Sequence, residues 1–135
     1  MTEVHVRLRV GSEQYALPIE NVLEVTELGE LSAVPGAGSA VLGVRNLDGR
    51  VLAVFDLARV LAITGDGASS RVVVAEHNGR LAGLAVDEVT EVGALARAHD
   101  EAQAEHLSGA VLDGGQLVGI IDVDRLFASL AGQTR

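Results

Sequence analysis

The aspartates of the chain occur in a pattern that has two chemical interpretations. Asp56 and Asp122 each follow an apolar run and precede apolar residues at helical spacing. Two aspartates that share a proton form the catalytic pair of aspartic proteases. Here, however, Leu or Val follows each aspartate, where those enzymes have Thr-Gly. An aspartate at the start of a helix accepts hydrogen bonds from free backbone N–H groups. We therefore predict two helix caps and no catalytic residue.

A second cluster of ionisable residues could bind a divalent cation weakly. It contains His99, Asp100, Glu101, Glu105 and His106. Residues seven apart share one face of a helix, but a zinc site normally needs three or four close ligands that are themselves held by hydrogen bonds. We therefore predict a solvated acidic loop, with no metal site and no cofactor.

The remaining motifs also predict no enzyme. His5 and His77 are expected at the surface, on the polar sides of strands. No serine has a histidine and an acid at a recognisable motif spacing, and Gly36-Ala-Gly38 continues into no phosphate-binding pattern.

Composition narrows the class of protein further. The chain has 135 residues, 48 % of them hydrophobic, and a formal net charge of −9. Such a charge repels phosphate backbones, so nucleic acid is not expected as a partner. There is no Cys and no Lys, which excludes thiolate nucleophiles, Schiff bases and a P-loop lysine. No apolar run is long enough to insert into a membrane, and the first residues do not resemble a signal peptide, so we expect a cytoplasmic protein, with a periplasmic one as the alternative.

Alternating apolar and polar residues predict short strands joined by tight turns. Glycine adopts positive φ at little cost, so Asp48-Gly49, Asn78-Gly79 and Asp113-Gly114-Gly115 predict hairpins. Short helices are predicted after Asp56 and after Asp122, a loop over 29–40, and a loop or one exposed helix over 94–107. The predicted strands are 4–10, 14–17, 22–26, 41–47, 50–55, 72–75, 81–86, 110–112 and 117–121.

An internal repeat is the most informative feature. With an offset of 66, Gly49–Leu61 aligns with Gly115–Phe127; with an offset of 67, Leu17–Val25 aligns with Leu84–Val92. The repeat predicts an all-β chain of two copies of a five-stranded unit, and such units close most easily as small barrels. We therefore expect one domain over 1–135, with halves 3–63 and 70–132 joined by a connector over 64–69. Each half is marginal for a core of its own, so two barrels should pack side by side and share an apolar interface.

The sequence resembles the CheW-like chemotaxis coupling proteins over roughly residues 3–132. The pattern Gly-x-x-Asn-Leu-x-Gly, which starts at Gly43, is the most specific part of the resemblance. The segments that carry it are Tyr15–Ile19, Val22–Val25, Val34–Gly36, Leu42–Arg50, Phe55–Leu57, Ala85–Val89, Leu107–Gly109 and Ile121–Leu126.

This resemblance implies two SH3-like barrels and a non-enzymatic adaptor. Members of the family link the cytoplasmic tips of chemoreceptors to the regulatory domain of the histidine kinase CheA. Carried over position by position, the receptor-binding groove candidates are Val22, Glu24, Val25, Gly43, Val86 and Val89. The candidates for the kinase-binding and coupling face are Asn46, Leu47, Asp48 and Arg50. A free edge strand of either barrel also offers a site for self-association.

Three positions depart from the family pattern. The usual Arg of Asn-Leu-Arg-Gly is Asp48, and two usual prolines are Gly38 and Ala53. Asp48 reverses a charge where coupling contacts are expected. One interpretation is a divergent adaptor that binds receptors, or another motility or polarity protein, without normal kinase coupling. The other is that Asp48-Gly49 is a better hairpin turn. An enzyme or metal-binding domain is a remote third alternative.

Overall fold

In the part of the chain that the structure describes, the fold has ten strands and two short helices. A computed structural model describes residues 2–64, 69–96 and 105–133, and a single turn of 3-10 helix lies over Ile19–Asn21. The elements in chain order are β1 (Thr2–Val10), β2 (Glu13–Pro18), β3 (Val22–Glu27), β4 (Val41–Leu47), β5 (Arg50–Asp56), α1 (Leu57–Val60), β6 (Arg71–His77), β7 (Arg80–Val86), β8 (Glu88–Ala96), β9 (Leu107–Asp113), β10 (Gln116–Ile121) and α2 (Val123–Ala131).

The strands form two five-stranded sheets with the same internal order. Sheet A has the order β8-β1-β2-β10-β9, and sheet B has the order β3-β6-β7-β5-β4. Neighbours pair antiparallel except for β2 with β10 and β5 with β7, which are parallel. The architecture is consistent with two SH3-like barrels, and it confirms the predicted all-β fold with short helices after the barrel strands and at the C-terminus.

The two barrels do not coincide with the two sequence halves. Sheet A takes β1 and β2 from the first half and β8, β9 and β10 from the second, whereas sheet B takes β6 and β7 from the second half and β3, β4 and β5 from the first. The expectation that each half would close its own barrel is therefore wrong. Strand propensity and turn spacing fix which residues form strands, but they do not determine which copy supplies the neighbouring strand.

The predicted turns have the backbone conformation that their residues favour. Asp48 and Gly49 have φ of 49° and 84°, and Asn78 and Gly79 have φ of 51° and 78°. Successive positive φ values define the turns whose twist matches that of a β-hairpin.

The predicted loop or helix over 94–107 is wrong at both ends, because β8 extends to Ala96 and β9 begins at Leu107. Residues 97–104 lie outside the described residues.

The hydrophobic core has three layers, one between the sheets and one inside each barrel. The largest layer lies between the sheets and joins side chains of β1 and β2, such as Leu8 and Leu17, to those of β6 and β7, such as Val73 and Leu84. A second layer, which includes Val118, fills the barrel formed by sheet A (barrel A), and a third, which includes Val54, fills the barrel formed by sheet B (barrel B). Central strands therefore bury both of their faces, one inside a barrel and one between the barrels.

The interior of barrel A is the more polar of the two. His5 and Arg7 align with Val72 and Val74 at an offset of 67, and all four residues are buried. The Nδ1 atom of His5 lies 3.0 Å from the carbonyl oxygen of Glu3, and Arg7 is paired with acidic side chains. The prediction that His5 lies at the surface is therefore wrong, because polar partners allow polar side chains to be buried where the other copy has valines.

Candidate protein-binding surfaces

Strand β3 is a free edge of sheet B and exposes apolar side chains. Among the described strands, β6 is its one neighbour in that sheet. Of the predicted groove residues, Val25 is 43 % exposed, Glu24 is exposed and Val22 is half-buried against the layer between the sheets. Leu23, which is not among the predicted groove residues, is 53 % exposed. The segment thus provides an apolar surface with a carboxylate beside it.

Gly43 holds a loop against β4 and presents no side chain of its own. Ser32 and Val44 exchange two backbone hydrogen bonds of 2.8 Å next to it. A Cβ atom on residue 43 would lie 2.7 Å from the carbonyl oxygen of Ser32. Only glycine allows this approach, so the effect of Gly43 on a binding surface is to position the loop over 28–40.

Strand β8 repeats the features of β3 at the free edge of sheet A. Val89 is half-buried against the layer between the sheets, as Val22 is, and Val92 is 58 % exposed. Val92 aligns with Val25 at an offset of 67, so the repeat itself was the signal that could have identified Val92.

Val86 is 0 % exposed. Its selection as a groove residue is corrected, because a fully enclosed side chain offers no surface to a partner.

The β4–β5 hairpin carries the four residues predicted for the kinase face. Asn46, Asp48 and Arg50 are exposed, whereas Leu47 is half-buried and packs on the core of barrel B. The side-chain oxygen of Asn46 accepts a hydrogen bond of 2.9 Å from the backbone N–H of Gly49. The turn therefore exposes the Asp48 carboxylate, while the guanidinium of Arg50 donates a hydrogen bond of 3.4 Å to the carbonyl oxygen of Gly79 on the neighbouring hairpin.

Both repeated aspartates cap helices, as predicted. Asp56 accepts a hydrogen bond of 3.1 Å from the backbone N–H of Ala58, and Asp122 accepts one of 3.1 Å from that of Arg125. Each carboxylate also lies near an arginine of its own helix, at 3.4 Å from Arg59 and 3.6 Å from Arg125. These contacts give each aspartate a local structural role.

Helix α2 is held at its start by sheet B and after its end by the loop between β3 and β4. Near its start, Asp124 lies 2.5 Å from the Nε2 atom of His77, a half-buried residue that was predicted at the surface. After its last turn, the carbonyl oxygen of Gln133 accepts a hydrogen bond of 2.7 Å from the N–H of Gly38. A proline at position 38 has no N–H to donate, which gives a physical reason for one departure from the family pattern. Ala53, the other, lines a small cavity under α2.

The predicted cation cluster is described only in part. His99, Asp100 and Glu101 lie outside the described residues. Glu105 is exposed, but His106 is buried, and its Nε2 atom has no hydrogen-bond partner among the described residues, so the prediction of a solvated loop is wrong at His106. Within the described ranges no three potential metal ligands come together.

Neither helix in the same ranges has the length and apolarity that a bilayer crossing requires.

Tyr15 lies beside a depression on sheet A. Burial raises the pKa of its phenol, and Glu13, whose carboxylate accepts a hydrogen bond from the hydroxyl, raises the pKa further. The depression has a volume of about 310 Å³ and lies over β2, β9 and β10.

The sequence profile of the CheW-like domain matches residues 5–131. The chain belongs to the CheW-like domain family. Protein FrzA of Myxococcus xanthus is 32 % identical over 130 residues, which cover 87 % of this chain and 81 % of FrzA. The chemotaxis protein CheW of Helicobacter pylori is 34 % identical over 84 residues, 61 % of this chain, and the match spans about half (51 %) of that relative.

A solved structure has the same CheW-like fold. The scaffolding protein TtCheW from Thermoanaerobacter tengcongensis superposes with a TM-score of 0.83 at 27 % identity, covering 94 % of this chain and 93 % of that protein. The family membership expected from the sequence is therefore confirmed, and the exposed edges of this CheW-like domain become the candidate surfaces of an adaptor.

Proposed function

We propose that this CheW-like protein is a non-enzymatic, cytoplasmic adaptor that couples the helical tips of chemoreceptors to a CheA-type histidine kinase. The observation that carries the proposal is the family membership of residues 5–131, together with two apolar edge strands on opposite sheets. An adaptor acts by binding two partners at once, which raises their effective concentration and allows one partner to shift the conformational equilibrium of the other.

The apolar residues of β3 and β8 support a helical receptor as the first partner. Leu23, Val25 and Val92 are exposed, and Val22 and Val89 lie between them and the layer that joins the sheets. An amphipathic helix can place anchors at positions i, i+3, i+4 and i+7 on such residues. Glu24 and the loop positioned by Gly43 would complete this receptor-binding surface on the side of sheet B.

The tip of the β4–β5 hairpin supports the kinase as the second partner. Asn46 orders the turn through its bond to Gly49, so that Asp48 and Arg50 are presented outward with Leu47 packed beneath. A partner with a basic residue opposite Asp48 would be attracted, whereas a partner with an acidic residue there would be repelled.

Asp48 also favours a second candidate function: an adaptor that binds receptors, or another motility protein, without normal kinase coupling. The exposed carboxylate stands where the family usually has a positive charge. A kinase surface built for that arginine would meet the wrong sign of charge.

A pull-down with Asp48→Arg separates the two candidates. Purified receptor fragment and kinase are offered to the wild type, to Asp48→Arg and to Ala62→Arg. The last variant is the control, because Ala62 is exposed and also has a positive φ, 56° against 49° at Asp48, but lies beyond the opposite end of β5.

Retention of both partners by the wild type supports coupling. Retention of the receptor alone, with kinase binding gained only by Asp48→Arg, supports the divergent adaptor. Failure of every form to retain the receptor overturns the proposed function.

A further inference from the structure

Helix α2 packs on one side of sheet B, and no helix in the described ranges packs on sheet A in the same way. Phe127 and Leu130 of α2 are buried and line a cavity of about 110 Å³ together with Ala53 of β5 and Ala82 of β7. Small residues on the two parallel strands thus make room for the apolar side of a helix.

The depression on sheet A occupies the matching place in the other copy. Gly119 aligns with Ala53 at an offset of 66, and Tyr15 aligns with Ala82 at an offset of 67. Gly119 and Tyr15 are register partners in the parallel pair of β10 and β2, and Ala53 and Ala82 each come one residue before the register partners Val54 and Gly83 of the parallel pair of β5 and β7. The two sites are therefore related by the internal repeat.

The helix that would match α2 stops before it could fill this site. α1 has four residues, against nine in α2. It ends because Ala62 takes a positive φ of 56° and the N–H of Ile63 turns back to the carbonyl oxygen of Ala58. Among the residues that the structure describes, α1 is the counterpart of α2 in the repeat, but no helix lies on sheet A at the place that corresponds to α2.

The lining of the depression is largely apolar. Leu107, Ala110, Leu117 and Gly119 contribute to it beside Tyr15. A Cβ atom on residue 119 would lie 3.0 Å from side-chain carbons of Leu107 and Tyr15, so the glycine lets those two side chains come together. Leu117 is 67 % exposed and projects from β10. We refer to Tyr15, Leu107, Ala110, Leu117 and Gly119 as the β10 groove.

Charge at the rim distinguishes the β10 groove from the site that α2 fills. Glu13 lies at the rim and aligns with Arg80, which lines the cavity under α2. The other polar residues of the rim, Ser12, Gln14 and Gln116, carry no charge. One carboxylate on a chain of net charge −9 favours a basic occupant.

We propose that the β10 groove is a second docking site, which takes an amphipathic helix of a partner protein with apolar anchors at i and i+3 or i+4 and a Lys or Arg beside them. The spacing of Phe127, Leu130 and Ala131 in α2 is the template for the anchors. The groove lies on β2, β9 and β10, so it is separate from the receptor and kinase surfaces on β3, β8 and the β4–β5 hairpin.

Two designed peptides test the proposal against the full chain. Both are helices of about 15 residues with Leu or Phe anchors at the α2 spacing, and they differ only in flanking Lys or flanking Glu residues. Binding is measured by fluorescence anisotropy, and the site is mapped by amide chemical shifts in the ¹⁵N-labelled protein. We expect the Lys peptide to bind at least about tenfold more tightly than the Glu peptide, with shifts at Gln14, Ala110 and Gly119.

Substitutions at exposed positions keep the test independent of folding. Leu117→Glu should weaken the Lys peptide about tenfold, whereas Val51→Glu should leave its affinity unchanged. Val51 is the matched control, because it aligns with Leu117 at an offset of 66 and is 75 % exposed on the other hairpin. Glu13→Arg should reverse the preference between the peptides.

Equal affinity of the wild type for both peptides, shifts confined to β3 and β8, or equal losses in the two glutamate variants would each overturn the second docking site. None of these outcomes bears on the pull-down that tests the adaptor function, so the two proposals can fail separately.

Discussion

The guanidinium of Arg7 and the carboxylate of Asp113 meet at 2.5 Å although 106 positions separate them in the chain. Arg7 lies on β1 and also bonds Glu91 of the edge strand β8 at 2.9 Å, whereas Asp113 ends β9 at the other edge of sheet A. The buried arginine therefore links the two edges that must come together when sheet A curves into a barrel.

Truncation of Arg7 should destabilise barrel A. Arg7→Ala removes a side chain that is 9 % exposed, along with both ion pairs, and should lower the free energy of unfolding by about 2–3 kcal/mol. Arg7→Met keeps most of the volume, and the carboxylates left behind are about half exposed, so the loss should stay within about 1 kcal/mol. Urea denaturation measures both variants. An Arg7→Ala protein as stable as the wild type would show that the link is unimportant.

Restoration of the family proline at position 38 should loosen the end of α2. Gly38→Pro removes the N–H that Gln133 accepts and places ring atoms near the Gln133 carbonyl oxygen, which would lie 3.0 Å from a Cβ atom there. We expect a loss of about 1–3 kcal/mol and faster hydrogen exchange in the last turn of α2. Gly38→Ala keeps the N–H and should lose less. Equal effects of the two variants would mean that crowding, rather than the lost bond, sets the cost.

Loss of the α2 cap should cost more than its conservative replacement. Asp122→Ala leaves the N–H of Arg125 without its side-chain acceptor, so the free energy of unfolding should fall by about 1 kcal/mol. Asp122→Asn retains an acceptor oxygen and should lose only a few tenths. Thermal denaturation followed by circular dichroism checks the order of the two variants, and a reversed order would contradict the capping role.

The stability of the protein should fall as the pH rises above about 10. An unfolded tyrosine releases its proton near that pH, whereas burial and Glu13 raise the pKa of Tyr15 in the folded state. The unfolded state then binds fewer protons than the folded state, so alkaline pH favours unfolding.

The tyrosinate absorbance provides a clean measurement, because the chain has one Tyr and no Trp. As the pH is raised, it should appear together with unfolding. In Glu13→Gln, where burial remains but the carboxylate is gone, it should appear at a lower pH. Ionisation near pH 10 in a protein that stays folded would contradict the burial of Tyr15.

Local chemistry made the turns and caps predictable. Asp48-Gly49 and Asn78-Gly79 adopt positive φ because glycine permits it and Asn and Asp tolerate it, and Asp56 and Asp122 cap helices because their carboxylates reach free N–H groups. Each of these outcomes depends on residues within a few positions of each other.

Long-range partners were not predictable from the same signals. His5 and Arg7 alternate with valines and leucines as exposed residues would, and only the approach of Asp113 and Glu91 from distant strands shows why Arg7 is buried. Val86 has the same apolar character as Val89, yet one is enclosed and the other half-exposed. Strand β8 was missed because its alternating residues are interrupted by Gly93 and followed by an Ala-rich segment.

Because the two copies exchange strands, the chain cannot be divided into two fragments that fold independently. A cut in the connector over 64–69 would leave one fragment with β1–β5 and another with β6–β10, and each sheet needs strands from both. Neither fragment could complete a barrel alone, so folding would become a second-order association that depends on fragment concentration. The same topology is that of an intertwined homodimer of two half-length chains whose association a covalent tether has made intramolecular.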